Sequence, residues 1–293
     1  MSISKTNGRT ESSSIQNREI VSTAHGDIAC RVTGADNDPV ALFIHGVFLS
    51  ADLWAGQLGA LGDLRRCVAV DLLGHGASAC PPPGGMTLPA QADMILAVLD
   101  ALGADQADLV ANDSGGAIAQ LVAVQAPHRI RSLTLTDCDT DENLPPAEFA
   151  PIVEMARSGV LAPAMPAIAA DPAAGRNALA SGLEQPDALP DEVISGFLGP
   201  FADPARARAV EAMVASMDSA VLVPIRAGLA QLQAPTLIVW GTADPFFGVS
   251  WARWLADTIP GTTQVRFLEG ARLFHPLERP AELSQALREF WTT

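Results

Sequence analysis

The sequence predicts an α/β fold: a mainly parallel sheet covered by helices on both faces, with a helical cap inserted late in the chain. Three observations predict it. Short apolar runs recur as "VALFIHG", "CVAVDLLG", "ADLVAND", "IRSLTLTDCD", "APTLIVWG" and "TQVRFLEG". Helix-like stretches such as "MTLPAQADMILAVLDAL" and "GAIAQLVAVQAP" separate them. The alternation lapses once, between about Asp139 and Leu232, and then resumes. Apolar runs of strand length suit strands buried on both faces, and alternation with helices makes neighbouring strands parallel.

Taken in order, "REIVSTAHGDIACRVTG" gives two alternating runs about His25, Gly26 and Asp27, the pattern of a hairpin that opens the sheet. The six apolar runs follow as strands. In the gap, "PAEFAPIVEMARSG" and "PARARAVEAMVASM" read as short helices, and "AELSQALREFW" closes the chain as a last helix. The expected organisation is a disordered polar leader (1–18), a first core segment (19–138), the cap (139–232) and a second core segment (233–293). A substrate pocket between core and cap is expected.

Composition narrows the function. The 293 residues carry a net charge of −15, and Lys5 is the only lysine, which argues against nucleic acid or an anionic membrane as partner. The N-terminus lacks an apolar signal-like core and no stretch is long and apolar enough to span a bilayer, so a cytoplasmic location is expected. Cys30, Cys67, Cys80 and Cys138 form no C-x-x-C pair and read as reduced thiols, with no metal and no organic cofactor expected. The expected partner is a small-molecule substrate; oligomeric state is left open.

In "VANDSGGAIAQ" a strand-like run enters a turn of small residues and leaves as a helix, the arrangement that lifts one strained side chain above a sheet. Two registers compete. With Ser114 at the tip, Asn112 and Gly116 occupy the small positions; with Asp113 at the tip they are Ala111 and Gly115, and this register fits better.

With "FIHG" and the downstream Trp54, "DLLGHGAS", "WGTADP" and "GARLFHPLERP" in that order, the chain resembles the α/β-hydrolase fold family, in the branch with an aspartate nucleophile that includes haloalkane dehalogenases and epoxide hydrolases. The resemblance implies Asp113 as nucleophile and the backbone N–H groups of Val47 and Ser114 as an oxyanion hole. It implies Asp244 as the acid, with Asp137, Asp139 and Asp141 as secondary candidates and His45 as a structural residue. Aligned on Gly270, Ala271 and Pro280, Leu273 stands where relatives carry their histidine base, and His275 lies two residues on. Without that base an aspartyl ester would form once and stall.

The auxiliary residues of the branch are also absent: there is no tyrosine to open an epoxide, no tryptophan after the nucleophile or in the cap to hold a halide, and no arginine after the nucleophile. Three readings stay open: an atypical hydrolase in which His275 swings in or Ser114 attacks; a non-hydrolytic cyclase, lyase or isomerase of secondary metabolism using Asp113 as acid or base; and a ligand-binding pseudo-hydrolase. Two carboxyls close together in an apolar pocket would raise one pKa and supply a proton shuttle without histidine. Phe48, Trp54, Asn112, Phe246, Phe247 and Leu273 are the expected substrate contacts, and Phe149, Phe197 and Phe201 could add to an apolar or polycyclic pocket.

Overall fold

The computed structural model describes residues 18–36 and 38–293, so nearly all of the expected leader lies outside the described residues. Eight strands form one sheet in the order β1-β2-β4-β3-β5-β6-β7-β8, where β1 is Glu19–Thr23, β2 Gly26–Thr33, β3 Val40–Ile44, β4 Arg66–Val70, β5 Ala107–Asp113, β6 Ile130–Cys138, β7 Thr236–Gly241 and β8 Thr262–Leu268. The hairpin β1/β2 pairs antiparallel, as does β2 with β4, and all other neighbours are parallel. Strands β3 and β5 are buried almost throughout and read as continuous apolar runs for that reason, whereas the edge strand β8 alternates between half-buried and exposed positions.

Strand order reverses at β3, flanked by β4 on one side and β5 on the other. In open α/β sheets the crevice beyond the carboxyl ends of the strands at such a reversal is where ligands bind. The expected helical insertion is present: between Cys138 and Thr236 the described residues form helices, among them Ala150–Arg157, Leu161–Ala170 and Pro204–Ala215, with only an isolated bridge, Thr140 to Asn143. Asp141 anchors its first loop through a two-point ion pair with Arg226, 2.6 and 3.1 Å, which makes this acid structural. No single helix among the described residues is long and apolar enough to cross a membrane.

The turn from β5 into helix Ser114–Gln125 is tight because of what surrounds it. A Cβ on Gly116 would stand 2.2 Å from Cys138 Cβ, and one on Gly115 would stand 2.4 Å from the Ile44 carbonyl oxygen. These two glycines let the helix start against β3 and β6 at once. Gly116→Ala is expected to destabilise the fold by about 1–3 kcal/mol through overpacking; a urea midpoint unchanged from wild type would refute this contact.

Candidate functional site

Four strand ends converge on one cavity. Asp113 ends β5 with φ 57 and ψ −136, a left-handed backbone that an aspartate adopts only under constraint. Gly46, after β3, supplies part of it: a Cβ there would stand 2.0 Å from Asp113 Oδ2. The β3 turn is itself anchored by His45, which lies within 2.7 Å of the Gly46 carbonyl through Nδ1 and accepts the Leu72 N–H at Nε2. Burial, and then the neighbouring His75, push the pKa of His45 well below the usual imidazole range, so it stays neutral and structural.

The cavity holds about 470 Å³ and lies between the strand ends and the helical insertion. Val47, Phe48, Phe246, Phe247 and Leu273 line it from the core side, and Phe48 also carries a left-handed backbone, φ 64. Ile152, Met155, Met165 and Met217 line it from the insertion. Phe149 is on the wall, while Phe197 and Phe201 are buried elsewhere; Phe201 packs edge-on against Phe48 and His75. The polar groups facing the space are Asp113, Asp139, Glu148, Ser181 and Arg272.

Several expected residues sit elsewhere. Trp54 is wholly buried against Phe43, ring centroids 5.4 Å apart, and is a core residue rather than a substrate contact. Asn112 is wholly buried beneath the elbow, where Nδ2 donates to Thr136 Oγ1 and to the Leu273 carbonyl, both at 3.0 Å; it fastens the Leu273 loop to the sheet and does not line the cavity. Ser114 is wholly buried, its Oγ accepting the Val47 N–H at 2.8 Å, which leaves it no attacking position on the cavity wall. That bond also occupies one of the two donors expected to form an oxyanion hole.

His275 does not reach the cavity. Its ring is wholly buried with Nε2 2.9 Å from Asp137 Oδ2, off the line of an aligned hydrogen bond, and Nδ1 has no partner. Burial lowers its pKa to about 3. Asp137 accepts the Gly241 N–H on both oxygens at 3.0 Å, and Asp244 accepts the Phe246 N–H at 2.8 Å. Asp244 is buried and absent from the cavity lining, and its charge acts on Asp113 as that of Asp137 acts on it. Leu273 takes the wall position beside Asp113.

The electrostatics follow from burial. Asp113 is half-buried and lines the cavity; desolvation, opposed by the Ser114 N–H and reinforced by Asp244, pushes its pKa up to about 8. Asp244 rises to about 8, first by burial and then by the charge of Asp137. Asp137 and Asp139 are raised well above the ordinary carboxyl range by burial, and in Asp139 the Asp113 charge adds to it. Asp139 was legible in the sequence only as one acid of a strand-end run, with no sign that it turns inward.

Residues 39–164 match the model of the alpha/beta hydrolase fold family. Over 94 residues the chain is 39% identical to the dihydrolipoyllysine-residue acetyltransferase component of the acetoin cleaving system of Cupriavidus necator, a match covering 32% of this chain and 25% of that protein. Over 97 residues it is 38% identical to a 2-hydroxymuconate semialdehyde hydrolase of Pseudomonas sp. strain CF600, covering 32% of this chain and 34% of that one. The match thus spans about a quarter to a third of these curated relatives. Among solved structures, haloalkane dehalogenase DbeA from Bradyrhizobium elkani superposes with a TM-score of 0.81 at 22% identity, covering 94% of this chain and 97% of that one, which shows a shared fold.

The buried acids set a pH dependence of stability. Asp113 and Asp244 move from 3.8 to about 8 on folding. The folded protein then holds protons that the unfolded chain has released, so stability falls as pH rises from the unfolded towards the folded pKa and levels off beyond it. The melting temperature is expected to drop between about pH 4 and pH 8 and to drop less in Asp113→Asn. Differential scanning calorimetry of both proteins checks it; a flat or rising wild-type curve across that range would show that these acids are ionised in the folded state.

Proposed function

The chain has the α/β-hydrolase fold, and from that premise we propose that it is an enzyme acting on a small, apolar, uncharged organic substrate through Asp113, working as a proton donor and acceptor rather than as an ester-forming nucleophile. One observation carries this reading: Leu273, not an imidazole, stands beside Asp113 on the cavity wall, while His275 is sealed against Asp137. An alkyl ester on Asp113 would have no base within reach to activate water, and a carboxyl that is protonated near neutrality is a poor nucleophile but a competent acid. The left-handed backbone at Asp113 supports chemistry at that residue, because strain of this kind persists where the surroundings enforce it.

The cavity limits the substrate. Its walls are aliphatic, thioether and phenyl groups apart from five polar residues, so a compact hydrocarbon frame bearing one or two oxygens suits it. Cyclisation, elimination and double-bond isomerisation all need an acid and a base held dry, and none needs a bound water. Hydrolysis is the reading favoured by the names of relatives such as the 2-hydroxymuconate semialdehyde hydrolase, and it differs from the proposal in one measurable respect.

The test is a screen of apolar carbonyl compounds and polyenes incubated with the protein in heavy water, read by mass spectrometry. Products isomeric with their substrates, or substrates that have gained deuterium, are expected, and both should vanish in Asp113→Asn. A product, or a pair of fragments, that together outweigh the substrate by one water would overturn the proposal in favour of hydrolysis. With any substrate so found, Asp113→Ala is expected to lower turnover by about a thousandfold or more, whereas Ser114→Ala should lower it by less than about tenfold. Steady-state kinetics of the two variants separate the cases, and loss of activity in Ser114→Ala alone would move the chemistry to the hydroxyl.

A further inference from the structure

We propose that Asp139 is a second catalytic residue, forming with Asp113 a carboxyl pair that holds one proton between its members and moves protons to and from a carbonyl substrate. The inference rests on the reading of Asp113 as an acid and adds the group that receives the second proton.

The geometry comes from adjacent strands. Asp113 of β5 is the Cα partner of Cys138 of β6, and Asp139 is the next residue, so two carboxyls leave neighbouring parallel strands at their carboxyl ends and face one cavity. Neighbouring strands lie about 5 Å apart, close enough for their charges to interact strongly in a dry site. Asp139 is 2% exposed, its Oδ1 has no hydrogen-bond partner, and its backbone carbonyl is fixed by Gln120 Nε2 at 2.8 Å. A buried carboxyl left unpaired is costly, and the cavity is the side from which a partner can come.

Other titratable groups face the pair. Asp244 and Asp137 lie behind it at the ends of β7 and β6, the Cys138 thiol is pushed well above its ordinary range by burial, and Glu148 and Arg272 face it across the cavity. His275 and His45 are both neutral. Arg272 donates to the Ser181 and Leu183 carbonyls, and two ionised carboxylates at this separation repel, so the dianion is disfavoured near neutrality and the working state of the proposed pair is the monoanion.

The step balances within the pair. The Asp113 O–H bond breaks as a new O–H bond forms on the carbonyl oxygen. The α C–H bond breaks as an O–H bond forms on Asp139, and the C–H electron pair becomes the C=C bond of the enol. With an enone the enol is a dienol: Asp139 returns its proton to the γ-carbon as the double bonds shift, and Asp113 takes back the enol O–H proton as C=O reforms. This restores the pair, so that the net reaction is isomerisation; a simple ketone exchanges its α-hydrogen by the same steps. The substrate class is therefore an apolar ketone or enone with an enolisable C–H.

Diphenyldiazomethane, an apolar reagent that esterifies protonated carboxyls with loss of dinitrogen, tests the pair without knowledge of the substrate. Peptide mapping at about pH 7 is expected to find the ester on Asp113 in some chains and on Asp139 in others, and never on both in one chain. Asp139→Asn should move the pH at which Asp113 labelling falls off downward by about one unit or more, because a neighbouring negative charge has gone. An unmoved Asp113 profile in that variant, or both carboxyls esterified on one chain at that pH, overturns the pair while leaving Asp113 as an acid. Absence of Asp113 labelling in the wild type overturns the acid reading itself. Should Asp139→Asn fail to fold, the wild-type stoichiometry decides alone.

Discussion

Asp113 can hold its left-handed backbone only because glycines at 46, 115 and 116 let β3, the elbow helix and β6 close to contact distance around the turn. The constraint is mutual. Gly46 leaves room for the Asp113 carboxyl, Gly115 lets the helix start beneath the Ile44 and His45 carbonyls, and Gly116 admits the Cys138 side chain. A methyl group at any of the three would separate two strands that are paired along their length, so the elbow, the strand spacing and the cavity floor are one steric solution. The Val47 N–H bond to Ser114 Oγ then ties the β3 turn to the same helix, which explains why the serine next to the tip is a structural acceptor.

Parallel strands ending together bring Asp113, Asp137, Asp139 and Asp244 into one poorly solvated region, all with pKa values raised by burial. A protein gains nothing in stability from such a grouping, since each acid must either keep its proton or bear an uncompensated charge. The acids divide by what they touch. Asp137 and Asp244 accept backbone N–H groups from β7 and its following loop, which fixes the loop that carries Phe246 and Phe247 to the wall. Asp113 and Asp139 face the cavity, and protons held there are available to whatever occupies it.

Much of this was legible in the sequence, for reasons that differ by residue. Strands buried on both faces write themselves as apolar runs, so β3 to β8 and the insertion between β6 and β7 could be read directly. The elbow was legible because a strand-like run passes through small residues on both sides of Asp113 into a helix, a pattern that tight strand–helix packing also demands. What failed was direction. An aromatic such as Trp54 after the His-Gly pair reads the same whether its ring points into the core or the cavity, and it points into the core. Asn112, next to the tip, points the other way along its strand and serves the Leu273 carbonyl. Asp139 reads as a solvated strand-end acid, and only the fold of the insertion over it makes it buried. Met155, Met165 and Met217 were hidden for a related reason: which face of an inserted helix meets the cavity is decided by packing between segments far apart in sequence.

His275 bears on the proposed mechanism because of how firmly it is held. For His275 to take the place of Leu273, the 272–279 segment would have to slip, and its backbone opposes this at several points: the His275 N–H is bonded to the Arg272 carbonyl, the Arg279 N–H to the His275 carbonyl, the Phe274 N–H to the Gly182 carbonyl, and the Leu273 carbonyl to Asn112. Each such bond is worth about 0.5–1.5 kcal/mol, and the Asn112 amide, buried beneath the elbow, would cost more if left unpaired. The imidazole is also wholly buried beside Asp137, so its movement would open a void beneath the sheet. These costs fall on one concerted rearrangement, whereas proton transfer at Asp113 requires none. As the loop stands, it places the Leu273 side chain on the wall of the cavity that Asp113 faces.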